Sequence, residues 1–359
     1  MFDYIIVGEN KETICAVVVT YNRKELLIEC LDALKKQTRP VDAIYIIDNV
    51  STDETPEFLR KKGYIGELSP ENLKDSWEKT FEIANLIDGK PEKIHYVRMH
   101  ENTGGAGGFH EGVKRAYEKG YDWLWLMDDD TELKEDSLEK VAIFGGGEEV
   151  SALACSVLLP DGKISYHHRG YVKFSKVFPL FQKPVPSKVY KKSMIEIDMA
   201  SFVGILINRN AIKKIGFPKK EFFIHHDDVE YCIRLRKVGK ILLIPDSIIF
   251  HKEAAREGMQ AKKFIRKKFK RVPYNRLWLT YYGRRNLVWL GKKYSQSKLR
   301  FYIGMIKSLL ISIVGILLFD DYKFKRIKFI INAYYDGLKD KFDNEKPKRI
   351  LYRLRDEKS

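Results

Sequence analysis

The chain has 359 residues, 44% of them hydrophobic, and a formal net charge of +16. So much apolar sequence excludes a disordered chain, and the length suffices for two or three domains or one large domain with an appendage. The basic excess is uneven, densest over residues 262–271 (KKFIRKKFKR), and suggests an anionic partner: nucleic acid, a membrane surface or a phosphorylated substrate.

Cys15, Cys30, Cys155 and Cys232 are far apart and form no CxxC pair. That argues against a zinc site or a disulfide framework and for reduced thiols in a cytoplasmic protein. Residues 1–10, with Asp3, are too short for a signal peptide.

Residues 15–20 (CAVVVT) predict a buried strand, ended by Tyr21, Asn22 and Arg23. Residues 24–36 carry Leu26, Leu27, Leu31 and Leu34 at helical spacing, and Pro40 stops that helix. Residues 43–47 predict a second strand with Asp48 and Asn49 at its end. Residues 51–56 (STDETP) offer capping groups and a proline suited to a helix start. This is the beginning of a parallel α/β sheet, on which ligands bind beyond the carboxyl ends of the strands. Residues 76–87 read as helical, and residues 94–98 as a third strand. The segment NTGGAGGF (102–109) then places four glycines in five residues, which lets backbone N–H groups approach a ligand, before a helix over 111–119. It is neither a Walker loop nor a clear dinucleotide fingerprint.

In WLWLMDDD (123–130) an apolar run too short for a helix enters three consecutive carboxylates. Three like charges at the edge of a core are costly and call for a cation, most simply a hard divalent ion with oxygen ligands. Residues 150–159 predict another strand, with a hairpin at Pro160, Asp161 and Gly162. Residues 170–192, rich in proline and aromatics (Phe174, Phe178, Phe181, Tyr190), read either as a cover for the site or as a packed surface segment. Residues 198–207 approach a strand through small residues, and Asn210 begins a helix.

The second acidic centre lies in residues 222–236. Asp227 can cap a helix, with Glu230 completing a capping box. That leaves Asp228 without a structural duty, at a positive helix end where an ionised carboxylate can act as a general base. Residues 241–245 and 247–251 are strand-like, and His251 ends the second. A lone histidine there is more often a core residue; two preceding acidic clusters strengthen the case for a ligand. Residues 274–286 predict an aromatic, arginine-rich helix. Residues 301–319 are nineteen largely apolar residues with Gly304, Lys307, Ser308, Ser312 and Gly315 on one stripe. That pattern suits an interfacial helix, or one packed on a neighbour, better than a lone span. The tail over 323–359 is charged and amphipathic.

Six motifs in order, VVVTYNR from Val17, IIDNVSTDET from Ile46, NTGGAGGF from Asn102, WLMDDD from Trp125, HDDVEYCIR from His226 and IIFH from Ile248, resemble those of the family 2 glycosyltransferases. The resemblance covers about residues 14–252 and looks most like galactofuranosyltransferases and their rhamnosyltransferase relatives. It implies an α/β GT-A fold: a Rossmann-like, mixed, mainly parallel sheet flanked by helices, followed by a mainly helical C-terminal region. Residues 1–252 would be the catalytic domain and residues 253–359 a basic region that meets the acceptor or the membrane surface.

Position by position, the resemblance implies the following roles. Thr20, Tyr21 and Arg23 would hold the nucleotide base, and Asp48 or Asn49 the uridine or thymidine moiety. Asn102, Gly104, Gly105 and Asp129 would lie near the donor. Asp128, Asp130 and His251 would bind Mn²⁺ or Mg²⁺, and Asp228 would deprotonate the acceptor hydroxyl. Trp125, Phe223, His226 and Asp227 would contact the acceptor. His226 stands where the family often has an aromatic residue, which leaves Phe222 or Phe223 to supply an aromatic shelf.

The expected partners are a UDP- or dTDP-linked sugar donor, a glycan or polyprenyl-diphosphate-linked acceptor and an anionic membrane surface on the cytoplasmic side; a homo-oligomer stays open. UDP-galactofuranose is the favoured donor, with dTDP-rhamnose next. A basic nucleic-acid-binding protein would carry a recognisable module, and the acidic clusters oppose it. A nucleotidyltransferase would need a basic residue in its glycine-rich loop, and NTGGAGGF has none.

Overall fold

The computed structural model describes residues 12–145, 147, 149–177, 180–252, 260–264 and 267–352, with the backbone alone for 173–177, 180–181, 260–264 and 267–271. The side chains of the basic run 262–271 and of Phe174, Phe178 and Phe181 therefore lie outside the described residues, as do residues 1–10.

In chain order, β1 (Ile14–Thr20), α1 (Lys24–Lys35), β2 (Ala43–Asp48), α2 (Thr55–Lys61), β3 (Trp77–Ala84), β4 (Pro91–Arg98), α3 (Gly104–Lys119) and β5 (Trp123–Asp128) come first. β6 (Thr131–Leu133), α4 (Ser137–Ala142), β7 (Val150–Leu158), β8 (Arg169–Val177), β9 (Leu180–Pro184), β10 (Ile195–Ile197), β11 (Met199–Ala200) and β12 (Ile205–Asn208) follow. Then come α5 (Arg209–Ile215), α6 (Asp227–Leu235), β13 (Lys240–His251), β14 (Gln260–Phe264) and β15 (Lys267–Arg271). The chain closes with α7 (Leu279–Tyr294), α8 (Lys298–Phe319), α9 (Lys323–Leu338) and α10 (Lys346–Tyr352).

Among the described residues one ten-stranded sheet runs β10-β13-β7-β12-β5-β1-β2-β4-β3, with β6 on β13. β1 shows why its sequence is a continuous apolar run. Ile14, Ala16 and Val18 face a core shared with Leu27, Leu31 and Leu34 of α1. Cys15, Val17 and Val19 face a second core, with Phe109, Val113 and Ala116 of α3. A strand covered on both faces has no polar side to keep. β5, β1, β2 and β4 are parallel, so Thr20 lies in register with Asp48, Asp48 with Arg98, and Val19 with Asp128. Those polar residues collect at one edge of the sheet. All four cysteines are buried, and burial pushes each thiol above its ordinary range.

The structure departs from the sequence reading in places. Residues 77–84 form β3, an antiparallel edge strand on β4, and no helix. Glu78, Lys79 and Glu82 favour helix, but Trp77, Phe81 and Ile83 alternate onto the core side, and the open edge of β4 decides the pairing. Ser51, Thr52 and Asp53 do not cap α2. Asn22 N donates to Ser51 Oγ (3.0 Å), Thr52 N to Asn22 Oδ1 (2.6 Å) and Lys24 N to Asp53 Oδ2 (3.1 Å), tying the end of β1 to the end of β2. The two strands expected near His251 are one, β13, with a register shift between Ile244 and Ile248.

The glycine-rich segment is itself helical: α3 begins at Gly104. A Cβ on Gly108 would lie 2.5 Å from Val19 Cγ1, and one on Gly112 2.4 Å from Val17 Cγ1. These two glycines let α3 sit down on β1. Gly112→Ala is expected to cost about 1–3 kcal/mol through overpacking, read as a lower urea midpoint at unchanged m-value.

The chain divides into two compact units, the first comprising Met1–Tyr171, Pro184–Lys220 and Asp227–Glu253, the second Val172–Lys183, Glu221–His226 and Ala254–Ser359. In the second, α7, α8 and α9 enclose Val288, Phe301, Met305, Ile316, Ile330 and Tyr334. Tyr281 OH donates to Asp336 Oδ2 (2.6 Å), which also accepts from Lys346 Nζ (2.8 Å). α8 is long and apolar enough to cross a membrane, and few of its residues are buried. Its small polar stripe turns inward at Ser308 and Ser312, which bond Tyr334 and Arg284, while Lys307 is exposed.

Candidate active site

β5 carries its apolar side chains into the core and releases Asp128, Asp129 and Asp130 at the sheet edge. The cost of the three carboxylates is met unequally. Asp129 accepts from Thr20 Oγ1 (2.8 Å), Tyr21 N (3.4 Å) and Arg23 Nη1 (2.9 Å). Asp130 receives the same Arg23 Nη1 at 3.3 Å. Thr20 and Arg23 therefore support the acidic turn. Tyr21, 45% exposed, is the residue of this trio with an open ring.

Ligating atoms of Asp128, Asp130 and His251 lie within 4.8 Å of one another. His251 Nε2 is 2.8 Å from Asp130 Oδ1, since β13 pairs with β6, the short strand that follows the acidic turn. Burial and the Asp130 charge push the Asp128 carboxyl up to about 7, and burial pushes Asp129 up to about 6 despite Arg23. Two carboxylates and an imidazole converging at a point where negative charge is under-compensated are a donor set that fits Mn²⁺ or Mg²⁺. His168 stands edge-on to His251, ring centroids 4.9 Å apart, with its Nδ1 2.7 Å from Ser201 Oγ.

The neighbouring strand ends shape the rest of the edge. Asp48 is fully buried and accepts from Tyr96 OH (2.8 Å), Arg98 Nη1 (2.5 Å) and Ser51 N (2.8 Å). Asn49 Nδ2 donates to Gly104 O (2.8 Å), and its Oδ1 accepts from Thr103 N (3.0 Å). Asn102 Oδ1 accepts from Gly104 N (2.9 Å), a residue at φ +70°. Asp48, Asn49 and Asn102 thus hold the turns. A Cβ on Gly105 would meet nothing within 4 Å, so the start of α3 is open there.

At the second acidic centre Glu230 does not close a capping box. It is buried and bound by Arg234, Nη2 at 2.8 Å, which also donates to Ile215 O and Phe217 O. Asp228 Oδ1 accepts from Val229 N (2.7 Å), and burial pushes its carboxyl up to about 6. Burial, the Asp228 charge and the Asp128 charge together push Asp227 well above the usual carboxylate range. The two acidic centres are therefore in electrostatic reach of each other.

Sequence reasoning missed Arg169, at the start of β8. It is 1% exposed and donates to the carbonyls of Cys155 (2.7 Å), His168 (2.8 Å), Val203 (2.6 Å) and Gly204 (3.2 Å). Its charge opposes the burial of Asp228. Nothing in the local pattern HHRG distinguishes it from a surface arginine.

The acceptor contacts need correction. Trp125 is fully buried in the first core, where its position on β5 faces it inward. Phe223 is buried in the second unit, stacked on Tyr282 with centroids 4.6 Å apart, and Phe222 packs on Trp289 and Phe342. His226 is half-buried, and burial lowers its imidazole to about 4, so it is neutral.

Phe223, His225 and His226 all adopt left-handed backbone, at φ 63°, 71° and 65°. Such strain costs on the order of 1 kcal/mol or more per residue. It is held by two adjacent buried side chains of α7. Asn286 Nδ2 donates to the carbonyls of Phe222, Ile224 and His225 (3.0, 3.1 and 2.8 Å), and Arg285 Nη2 to those of Glu221 and Phe222 (3.0 and 3.1 Å). Asn286→Ala should therefore cost roughly 3 kcal/mol, measured by chemical denaturation.

The family model described as Glycosyl transferase family 2 matches residues 15–66 and 74–216. Galactofuranosyltransferase GlfT1 of Mycolicibacterium smegmatis is 28% identical over 232 residues, 64% of this chain and 67% of that protein. The dTDP-rhamnosyl transferase RfbF of Shigella flexneri is 22% identical over 239 residues, 66% of this chain and 68% of that protein. The matched stretch thus spans about two thirds of these relatives. Among solved structures, mannosyltransferase PcManGT from Pyrobaculum calidifontis in complex with GDP-Man and Mn²⁺ is similar at TM-score 0.52 and 14% identity, over 92% of this chain and 88% of that one. S. aureus TarS 1-349 is similar at TM-score 0.50 and 13% identity, over 92% and 88%.

Proposed function

Because this chain belongs to glycosyl transferase family 2 and has the GT-A fold of its structural neighbours, we propose that it is an inverting, metal-dependent glycosyltransferase whose donor is a nucleotide diphosphate sugar. The carrying observation is the convergence of Asp128, Asp130 and His251 within 4.8 Å at the carboxyl edge of β5. These residues would hold Mn²⁺ or Mg²⁺. A divalent ion bound there supplies Lewis-acid stabilisation of charge on a diphosphate leaving group.

The other groups divide the remaining work. Arg23 and Thr20 hold Asp129 and so fix the acidic turn. Tyr21 offers its exposed ring to the nucleotide base, between turns that Asp48, Asn49 and Asn102 keep in place. Gly105 leaves room for the donor where α3 starts. Asp228 takes the proton of the acceptor hydroxyl, which is a poor nucleophile until it does. One base acting in one in-line displacement gives inversion. Asp227 lies beside it, its carboxyl pushed well above the usual range by burial and the Asp228 charge.

UDP-galactofuranose is the donor favoured by the likeness to the galactofuranosyltransferase, and dTDP-rhamnose the second reading, favoured by the likeness to the rhamnosyl transferase. The acceptor is a glycan hydroxyl, lipid-linked in cell-envelope synthesis, with the C-terminal helices on the cytoplasmic face of an anionic membrane. The test is thermal stabilisation by UDP, dTDP, GDP and CDP, each with and without Mn²⁺. At a hundredfold excess over Kd a ligand adds about 2.7 kcal/mol to apparent stability. A manganese-dependent shift with UDP supports a UDP-sugar, and one with dTDP supports rhamnose. No shift in the folded protein refutes the proposal.

A further inference from the structure

Arg285 and Asn286 of α7 are fully buried, and both work on backbone. Arg285 Nε donates to Asn286 Oδ1 (3.0 Å) and its Nη1 to Asn344 Oδ1 (3.0 Å), while its Nη2 serves the carbonyls of Glu221 and Phe222. A guanidinium offers donors alone, so the Asn286 oxygen must face it and the Asn286 NH₂ must face away. That NH₂ meets the carbonyls of Phe222, Ile224 and His225. Burying a guanidinium and an amide is costly, and burial lowers Arg285 to about 10.

The segment that receives these bonds is strained. Three left-handed residues, Phe223, His225 and His226, fall within four positions, whereas the other left-handed non-glycine residues among those described stand singly. Ile224 N also donates to Phe222 O (2.8 Å) and closes a three-residue turn around Phe223. A left-handed centre is the rarer, strained form of such a turn. Asp227 and Asp228 follow His226 directly as the first residues of α6. The backbone angles of residues 223–226 therefore set where α6 starts and where the Asp228 carboxylate is placed. Without the bonds from α7 these residues would relax toward right-handed or extended backbone, and strain of this kind persists only where its surroundings enforce it.

We propose that Arg285 and Asn286 are positioning residues for the base: by holding residues 221–226 in left-handed backbone they fix the start of α6 and with it Asp228. This rests on the assignment of Asp228 given above. It gives the C-terminal helices a part in the chemistry that requires no contact with substrate.

The experiment follows the full chain by nucleoside diphosphate release from UDP-galactofuranose and from dTDP-rhamnose, with water standing in for the acceptor. The water oxygen bonds the anomeric carbon, the bond from that carbon to the diphosphate breaks, and Asp228 takes the proton. A reacting group misplaced by about 1 Å can cost roughly a hundredfold. Asn286→Ala and Arg285→Lys should therefore lower kcat about tenfold to a hundredfold while donor KM stays within about twofold. The manganese-dependent nucleotide shift should persist in both, which shows that the donor site is folded. Glycine carries no steric penalty in left-handed backbone, and His225 is exposed. His225→Gly alone should behave as wild type, and added to Asn286→Ala it should recover part of the lost kcat. Unchanged kcat in the clamp variants, a loss of nucleotide shift along with kcat, or no recovery with glycine overturns the proposal. Hydrogen exchange needs no substrate: amides of residues 227–231 should exchange several-fold faster in Asn286→Ala, and unchanged exchange overturns the proposal whatever the activity. Release from neither donor by the wild-type chain, with no nucleotide shift, refutes the proposed function and the catalytic role with it, while faster exchange would still show that α7 holds the start of α6.

Discussion

Asp228→Asn is expected to lower sugar transfer about a hundredfold to ten-thousandfold, the usual contribution of a general base, while the manganese-dependent nucleotide shift stays intact. The amide keeps the shape of the side chain and the bond from Val229 N, but it cannot take a proton. The pH profile gives a second reading. Burial pushes Asp228 up to about 6, and a base must be ionised to act. kcat/KM of the wild type should therefore fall as pH drops below about 6, roughly tenfold per pH unit. Asp228→Asn should lack that limb. Initial rates across pH for both proteins check this, and transfer that persists in the variant removes Asp228 as the base.

Asp128→Asn is expected to pull function and stability in opposite directions. Burial and the Asp130 charge raise the Asp128 carboxyl from its ordinary 3.8 to about 7. Between those values the folded protein binds a proton that the unfolded chain releases. The metal-free protein thus loses stability as pH rises through that window, and by pH 8 the full penalty is present. Replacing the carboxylate with an amide removes it, so metal-free Asp128→Asn should be more stable than wild type at pH 8 by on the order of 2 kcal/mol. The gain should vanish near pH 4, where both proteins are uncharged at this position. The same variant should lose manganese-dependent stabilisation and transfer. Calorimetry at the two pH values, with and without Mn²⁺, separates these effects; a less stable metal-free variant at pH 8 would mean that Asp128 carries no such penalty.

The acidic turn and its companions were legible because chemistry at a sheet edge leaves a dense local signature. Three carboxylates after an apolar strand call for a cation from residue types alone, whereas His251 joins them only through the family resemblance; the structure brings Asp128, Asp130 and His251 together. What stayed hidden depends on residues distant in sequence. The bonds of Arg23 and Thr20 to Asp129 span more than 100 positions, so their bracing of the acidic turn leaves no local trace in sequence. β3 was misread because its helix-forming glutamates say nothing of the open edge of β4. The glycines of residues 102–109 read as a close backbone approach to a ligand, but the neighbour that requires Gly108, Val19, belongs to another element. Arg285 and Asn286 read as part of a basic helix, since four carbonyls awaiting donors in residues 221–225 leave no trace in sequence.

The four buried cysteines have a practical consequence. A thiol that is shielded from solvent and reluctant to ionise reacts slowly with maleimides and iodoacetamides, since the thiolate is the attacking form. The native chain is therefore silent toward such reagents while folded. One new cysteine at Tyr21 or at Ile303, both exposed, would take a fluorophore or spin label selectively. A probe at the first position would follow donor arrival, and one at the second would sense a change from water to lipid, in otherwise wild-type protein.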